Sequence, residues 1–231
     1  MRIPLVLSFG FVLFLSGCAS NVSSVTDESA LRVIDRTQPG RTYAQAGPST
    51  AVKPVASFGI SMYPRSAWAA GLRQPTKMTP MGKITRVTIH HEGRDEANNM
   101  TAQKDVIVRL RATCMSHRNY RGWSDIGYHF AIDRAGRIWE CRSLAYQGAH
   151  ADGANGGNIG IEVLGNFDVQ SPTAAQKQAL ETLVQKLCAR YDVPLGRIYT
   201  HRELCNTECP GRNLQAYVNQ MRRELRATAS R

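Results

Sequence analysis

The seven residues Asn158-Ile-Gly-Ile-Glu-Val-Leu164 constrain the fold most. The run is the length of one strand and too continuously apolar to leave a face in water, so it predicts a central strand covered on both sides. Ile84 to His90 is a second, β-branched strand, ending in the adjacent pair His90 and His91. Residues 102–116 predict a helix, with Val106, Ile107, Leu110 and Cys114 recurring at helical spacing. Tyr128 to Asp133 and Arg137 to Glu140 flank the turn residues Arg134-Ala135-Gly136 and read as a hairpin. Thr173-x-x-Gln176 has the form of a capping box, opening a helix whose Leu180, Leu183, Val184, Leu187, Cys188 and Tyr191 fall on one stripe. Asp192-Val193-Pro194 ends that helix, a short strand from Arg197 to Thr200 leads into His201, and Leu214 to Leu225 supplies a last amphipathic helix. Strands and helices interleave. The expectation is an α/β fold, a single domain with a mixed central β-sheet flanked by about three helices.

The start of the chain bears on compartment. Met1-Arg2 is a short positive start, and Ile3 to Leu15 is an apolar run too short to span a bilayer comfortably, as in the core of a signal peptide. Leu15-Ser16-Gly17-Cys18 resembles a bacterial lipobox, in which cleavage precedes a cysteine that is then acylated. Residues 1–17 are therefore expected to be a lipoprotein signal peptide, with Cys18 as the lipidation site. Acyl chains on Cys18 would hold the protein to a membrane, since each buried methylene contributes about 0.8 kcal/mol. Ala19 resembles the residue that sends lipoproteins to the outer membrane, which implies a cell-envelope location on its periplasmic face. Residues 18–58, rich in Ser, Thr, Ala and Pro, read as a disordered tether. Residues 59–226 are assigned to the single globular domain and 227–231 to a tail. Removing residues 1–17 takes one arginine and no acid from the chain, leaving 28 basic and 18 acidic residues. For an exported chain that excess suits anionic lipid and acidic wall polymer, and no nucleic-acid partner is expected.

In an oxidising compartment, Cys114, Cys141, Cys188 and Cys205 have two open readings: two disulfides with three possible pairings, or buried thiols. Cys209 has a different use. His90 stands at a strand end, His201 just past another strand, and Cys209 follows after seven intervening residues. Two imidazoles and a thiolate suit zinc, and three protein ligands leave one tetrahedral position for water.

The surrounding motifs are more specific. Tyr63-Pro-Arg-Ser-Ala-Trp68, Val87-Thr-Ile-His-His91 and Gly122-Trp-Ser-Asp-Ile-Gly-Tyr-His-Phe130 come first. Gly148-Ala-His-Ala151, Ile159-Gly-Ile-Glu162, His201-Arg-Glu203 and Thr207-Glu-Cys-Pro-Gly211 follow in the same order. Together, over about residues 60–225, they resemble the zinc-dependent N-acetylmuramoyl-L-alanine amidases. That family includes phage lysozyme-like amidases, bacterial cell-wall amidases and animal peptidoglycan recognition proteins.

The resemblance implies a peptidoglycan-recognition-type fold, a Zn2+ cofactor held by His90, His201 and Cys209, and cleavage of the bond between muramic acid and the first alanine of a stem peptide. His91 belongs to the opposite face of its strand and is expected to support the site or the fold. Two residues compete for proton transfer. Tyr128 matches a tyrosine beside the zinc water in some relatives, and Glu162 matches the glutamate base of others. A carboxylate between Ile161 and Val163 is costly to bury unless something nearby needs it. Thr207 stands where several relatives carry an oxyanion-polarising lysine. Trp123 resembles a determinant of diaminopimelate preference, and His150 lies where relatives line the substrate groove. The implied partners are peptidoglycan or muropeptides and, through Cys18, a membrane; a monomer is expected. The competing readings are a non-catalytic peptidoglycan-binding lipoprotein and a structural zinc site closed by Cys205.

Overall fold

The structure, a computed structural model, describes Lys53 and residues 55–70, 72, 78–94 and 96–229, all within the compact unit Ala46–Arg231. Cys18, the expected signal peptide and most of the expected tether lie outside these residues.

A small antiparallel hairpin comes first, β1 (Val55–Ser57) paired with β2 (Ile60–Met62). Its two-residue turn, Phe58-Gly59, has φ of 54° and 72°, the double left-handed geometry that matches strand twist in tight hairpins. β1 falls within the segment assigned to the tether. A single helical turn, α1 (Ser66–Ala69), follows.

The main sheet has five strands in the order β5-β4-β6-β3-β7. β3 (Arg86–His91), β4 (Phe130–Ile132), β6 (Asn158–Val163) and β7 (Ile198–Thr200) run parallel, and β5 (Ile138–Glu140) is an antiparallel edge. The sheet is mixed, as expected, and β6 is its middle strand. Asp133 shapes the β4–β5 turn by accepting from the backbone N–H of Ala135 and Arg137 at 2.9 and 3.1 Å.

Every residue of β6 is buried, but its two faces differ. Ile159, Ile161 and Val163 join Val87 and Ile89 of β3 against α3 (Ala174–Tyr191) and α4 (Arg212–Ala229). Burial contributes about 1.5–3 kcal/mol for each large aliphatic side chain on that interface. The other face of β6 carries Asn158, Gly160 and Glu162, beside Thr88 and His90 of β3. Toward the β4–β5 side, Ala131 and Trp139 meet Trp68 of α1 and Val106 and Leu110 of α2 (Gln103–Asn119) in a second core. Helices thus cover both faces, as a buried parallel sheet requires.

The capping box forms as the sequence predicts. The Thr173 hydroxyl accepts from Gln176 N–H at 3.0 Å, and the Gln176 carboxamide oxygen accepts from Thr173 N–H at 3.1 Å. Gln176 also donates to the Leu164 carbonyl at 2.9 Å, tying the start of α3 to the end of β6. The last helix runs to Ala229, through part of the segment assigned to a tail.

Candidate metal centre and cleft

Parallel strands place their C-terminal ends on one edge, where ligands of α/β sheets gather. His90 is the fifth residue of β3 and is aligned with Glu162 on β6, so both side chains leave the same face. β7 lies on the far side of β3 and ends at Thr200, which delivers His201 to the same edge. A capping box holds the turn His201–Glu203: Thr200 N–H donates to the Glu203 carboxylate at 2.7 Å. Arg222 of α4 donates to that carboxylate at 2.7 and 2.9 Å. Arg202 N–H donates to the Cys209 carbonyl at 2.9 Å, folding the 201–209 loop back on itself.

The result brings the ligand atoms of His90, His201 and Cys209 within 4.8 Å of one another. The His90 and His201 ring centroids are 4.5 Å apart, and Cys209 Sγ is 3.8 Å from His90 Nδ1. Burial, reinforced for His90 by the neighbouring His150 and His201, holds both imidazoles below their usual range and leaves them neutral donors of lone pairs. Burial pushes the Cys209 thiol up to about 12, with the His91 N–H to sulfur bond, 3.3 Å, opposing it. A thiolate in this pocket therefore needs a cation. Two neutral imidazoles and such a thiol form a donor set that fits zinc, and no fourth His, Cys, Asp or Glu joins the group among the described residues. Cys205 turns instead toward the Asp152 carbonyl, at 3.7 Å. The five described cysteines are free thiols; of the four left open by the sequence, Cys114, Cys141 and Cys188 are buried as the thiol reading expects, and Cys205 is only half-buried.

Glu162 is 2% exposed, and its Oε2 has no hydrogen-bond partner. Burial, then the nearby Glu92 charge, raises its carboxyl to about 8. Glu92 is itself held by Arg109 at 2.9 Å and Arg94 at 3.5 Å. The Tyr128 ring lies 5.2 Å from that of His90, and burial followed by the Glu162 charge raises its phenol. An open cleft of about 380 Å³ exposes Tyr128, His201 and Cys209 along one wall with Thr207, Glu92 and Asp168 around them. The Thr207 hydroxyl accepts from Cys209 N–H at 3.2 Å, which leaves its own proton to donate.

Two of the expected site residues, those assigned to the substrate, do not line this cleft. His150, expected on the groove wall, is 6% exposed and sits behind His90, with its Nδ1 3.0 Å from His90 Nε2. The slot that receives its ring is made by glycine: a Cβ on Gly160 would lie 2.5 Å from His150 Cδ2. Trp123 is half-buried, its ring centroid 4.8 Å from His117 and the Arg121 guanidinium 5.5 Å from its ring, outside the cleft wall. His91 leaves the opposite face of β3, where its Nδ1 accepts from Phe167 N–H at 3.3 Å, and it still borders the cleft with Cys209. Sequence reasoning missed Glu92 and Asp168. Each lies just beyond the C-terminal end of a parallel strand, β3 or β6, and that position was the available signal.

A mixed sheet whose strand ends converge on two histidines, a cysteine and a buried glutamate forms a candidate metal centre. The chain belongs to the N-acetylmuramoyl-L-alanine amidase family, whose sequence profile matches residues 80–212. It is 34% identical over 161 residues to peptidoglycan-recognition protein SC2 of Drosophila melanogaster, covering 69% of this chain and 85% of that protein. The fold is similar to that of the N-acetylmuramoyl-L-alanine amidase LysC from Clostridium intestinale, with a TM-score of 0.56 and 27% identity over 69% of this chain and 96% of that one. It is also similar to peptidoglycan recognition protein-LE, solved with tracheal cytotoxin, a monomeric diaminopimelic acid-type peptidoglycan. There the TM-score is 0.59 and the identity 28%, over 65% of this chain and 88% of that one.

Proposed function

We propose that this protein is a zinc-dependent amidase that hydrolyses the bond between N-acetylmuramic acid and L-alanine in peptidoglycan or muropeptides. The observation that carries the reading is the meeting of His90, His201 and Cys209 ligand atoms within 4.8 Å, with Glu162 aligned beside His90 on the adjoining strand. Three donors without a fourth among the described residues suit a catalytic rather than a closed structural site. Membership of the family and the likeness to a muropeptide-binding relative support the substrate class.

His90, His201 and Cys209 would hold the ion. When bound, zinc would supply Lewis acidity, polarising the lactyl carbonyl and acidifying water. Positive charge in the site favours the Glu162 carboxylate over its acid, readying it to take the proton of the attacking water. Glu162 then hands that proton to the alanine nitrogen as the C–N bond breaks, so the amine leaves neutral and the muramic acid is left as a carboxylic acid, which gives its remaining proton to solvent. Tyr128, whose phenol stays protonated, donates a hydrogen bond toward the developing oxyanion, and the Thr207 hydroxyl offers a second donor. We also propose that Cys18 is acylated and tethers the domain to the outer membrane. Incorporation of labelled palmitate that disappears in Cys18→Ser checks this.

The amidase is tested by digesting diaminopimelate-type muropeptides with the full chain and reading products by mass spectrometry. Free stem peptides beginning at L-alanine should vanish on chelation, return with zinc and be absent with Cys209→Ala. Full turnover by Cys209→Ala overturns the metal assignment. Binding without cleavage by the zinc-loaded protein makes it a recognition module.

A further inference from the structure

His150 does not line the cleft, yet it is wired to the metal centre by a chain of contacts with a fixed direction. We infer that His150 is a positioning residue that locks His90 in the tautomer protonated on Nε2 and thereby aims the His90 Nδ1 lone pair at His201 and Cys209. This rests on the zinc reading above only for its consequence; the tautomer itself follows from geometry.

The chain begins at the Asn158 carbonyl, 3.2 Å from His150 Nε2. A carbonyl only accepts, so His150 Nε2 carries the hydrogen. A neutral imidazole has one N–H, which makes His150 Nδ1 an acceptor. That nitrogen lies 3.0 Å from His90 Nε2, which must then donate. His90 Nδ1 is left as the lone pair, and it is the nitrogen 3.8 Å from Cys209 Sγ. Reversing the order would set a ring lone pair against the lone pairs of a buried carbonyl and leave both without a hydrogen.

Both ends of the relay are anchored. Asn158 opens β6, and its side chain accepts from Thr88 Oγ1 at 2.9 Å and donates to the Ala154 carbonyl at 2.8 Å. The His150 backbone N–H donates to Asn155 Oδ1 at 2.9 Å, as does that of Ala151 at 3.0 Å. Around the ring, a Cβ on Gly148 or Gly160 would approach to 2.3 or 2.5 Å, so the imidazole fills space that these two glycines leave. A metal-binding histidine whose other nitrogen donates to a fixed acceptor has its orientation set and its basicity raised.

The test uses the full chain labelled with 15N at histidine. Long-range proton–nitrogen correlation should place the hydrogen of both His90 and His150 on Nε2, with and without zinc. Zinc affinity, measured by competition with a chelator, should fall roughly 10–100-fold in His150→Phe, which keeps a planar ring and loses the acceptor. His150→Gln, whose amide can accept from His90 and donate to Asn158, should recover most of the loss; a role in packing alone predicts the opposite ranking. A hydrogen on His90 Nδ1, or a His150→Phe variant with undiminished zinc affinity, overturns the inference. A wild-type protein that binds no zinc overturns the proposed function instead, and the tautomer still decides this point in the metal-free chain. Should His150→Phe fail to fold, the tautomer and the affinity of His150→Gln decide it.

Discussion

Replacing Glu162 with glutamine should make the metal-free protein more stable while stopping it from working. The carboxyl titrates at about 8 in the folded chain against an ordinary value of 4.5, because burial strips its charge of water and Glu92 repels it. Below pH 4.5 both folded and unfolded chains carry the proton and the group takes nothing from stability. As pH rises, the unfolded chain releases the proton first, and stability drains away until the folded carboxyl ionises near pH 8. At 1.36 kcal/mol per pH unit, the loss is about 3 kcal/mol at pH 7 and about 5 kcal/mol above pH 8. Glutamine fills the same space without titrating. Glu162→Gln should therefore match wild type near pH 4, exceed it by about 3 kcal/mol at pH 7, and melt roughly 6–12 °C higher there. Urea unfolding in chelator at several pH values measures this directly. Turnover of muropeptide by the zinc-loaded variant should fall roughly 10²–10⁴-fold, the ordinary contribution of a general base. A stability difference that is absent, or the same at pH 4 and pH 8, would refute the claim that Glu162 is a buried charge held for function.

Three further outcomes are expected. His129, which burial holds at about 4 against histidine's ordinary value of 6.5, contributes stability that is full above pH 6.5 and falls by about 3 kcal/mol as pH drops toward 4. In His129→Gln the acid side of the urea-midpoint profile should flatten by that amount. Asp125 accepts from Arg65 at 2.9 Å and from Ile126 N–H at 2.8 Å inside the second core, so Asp125→Ala strands a largely buried guanidinium. Its unfolding free energy should drop by about 3–5 kcal/mol, and a drop under about 1 kcal/mol would show the pair to be solvated. Cys205→Ser should keep one zinc per chain with unchanged affinity, by mass spectrometry and chelator competition. Loss of the metal would restore the closed structural site.

Much of this was legible because its signals are local. The capping box at Thr173 and Gln176 formed atom for atom, and the stripe from Leu180 to Leu187 became the buried face of α3. The mixed sheet with β6 at its centre follows from one apolar run, and the motifs around His90, His201 and Cys209 named three residues that the fold brings together. What stayed hidden depends on contacts across the chain. Nothing near His150 tells that its partner is His90, sixty residues away, or that Gly160 leaves room for its ring. Nor does the sequence around Trp123 tell that its ring rests half-buried on His117, where the loop after α2 turns it.

The central strand carries a pattern that a reading for hydrophobicity passes over. Asn158, Gly160 and Glu162 alternate with Ile159, Ile161 and Val163, the period of a strand with two unlike faces, although both faces are buried. One face builds the core. The other gives up core packing for a polar stripe in which Asn158 anchors the relay, Gly160 clears a slot and Glu162 faces the metal centre. Each of these choices costs stability taken alone: a glycine in a strand, a buried amide, an unpartnered carboxylate. They fall at alternate positions on one strand, beside Thr88 and His90 of its neighbour, so a slip of one residue in the β3–β6 register would move all of them to the wrong face. The apolar face therefore enforces the geometry of the polar one: burying Ile159, Ile161 and Val163 against α3 and α4 is what keeps His90 level with Glu162.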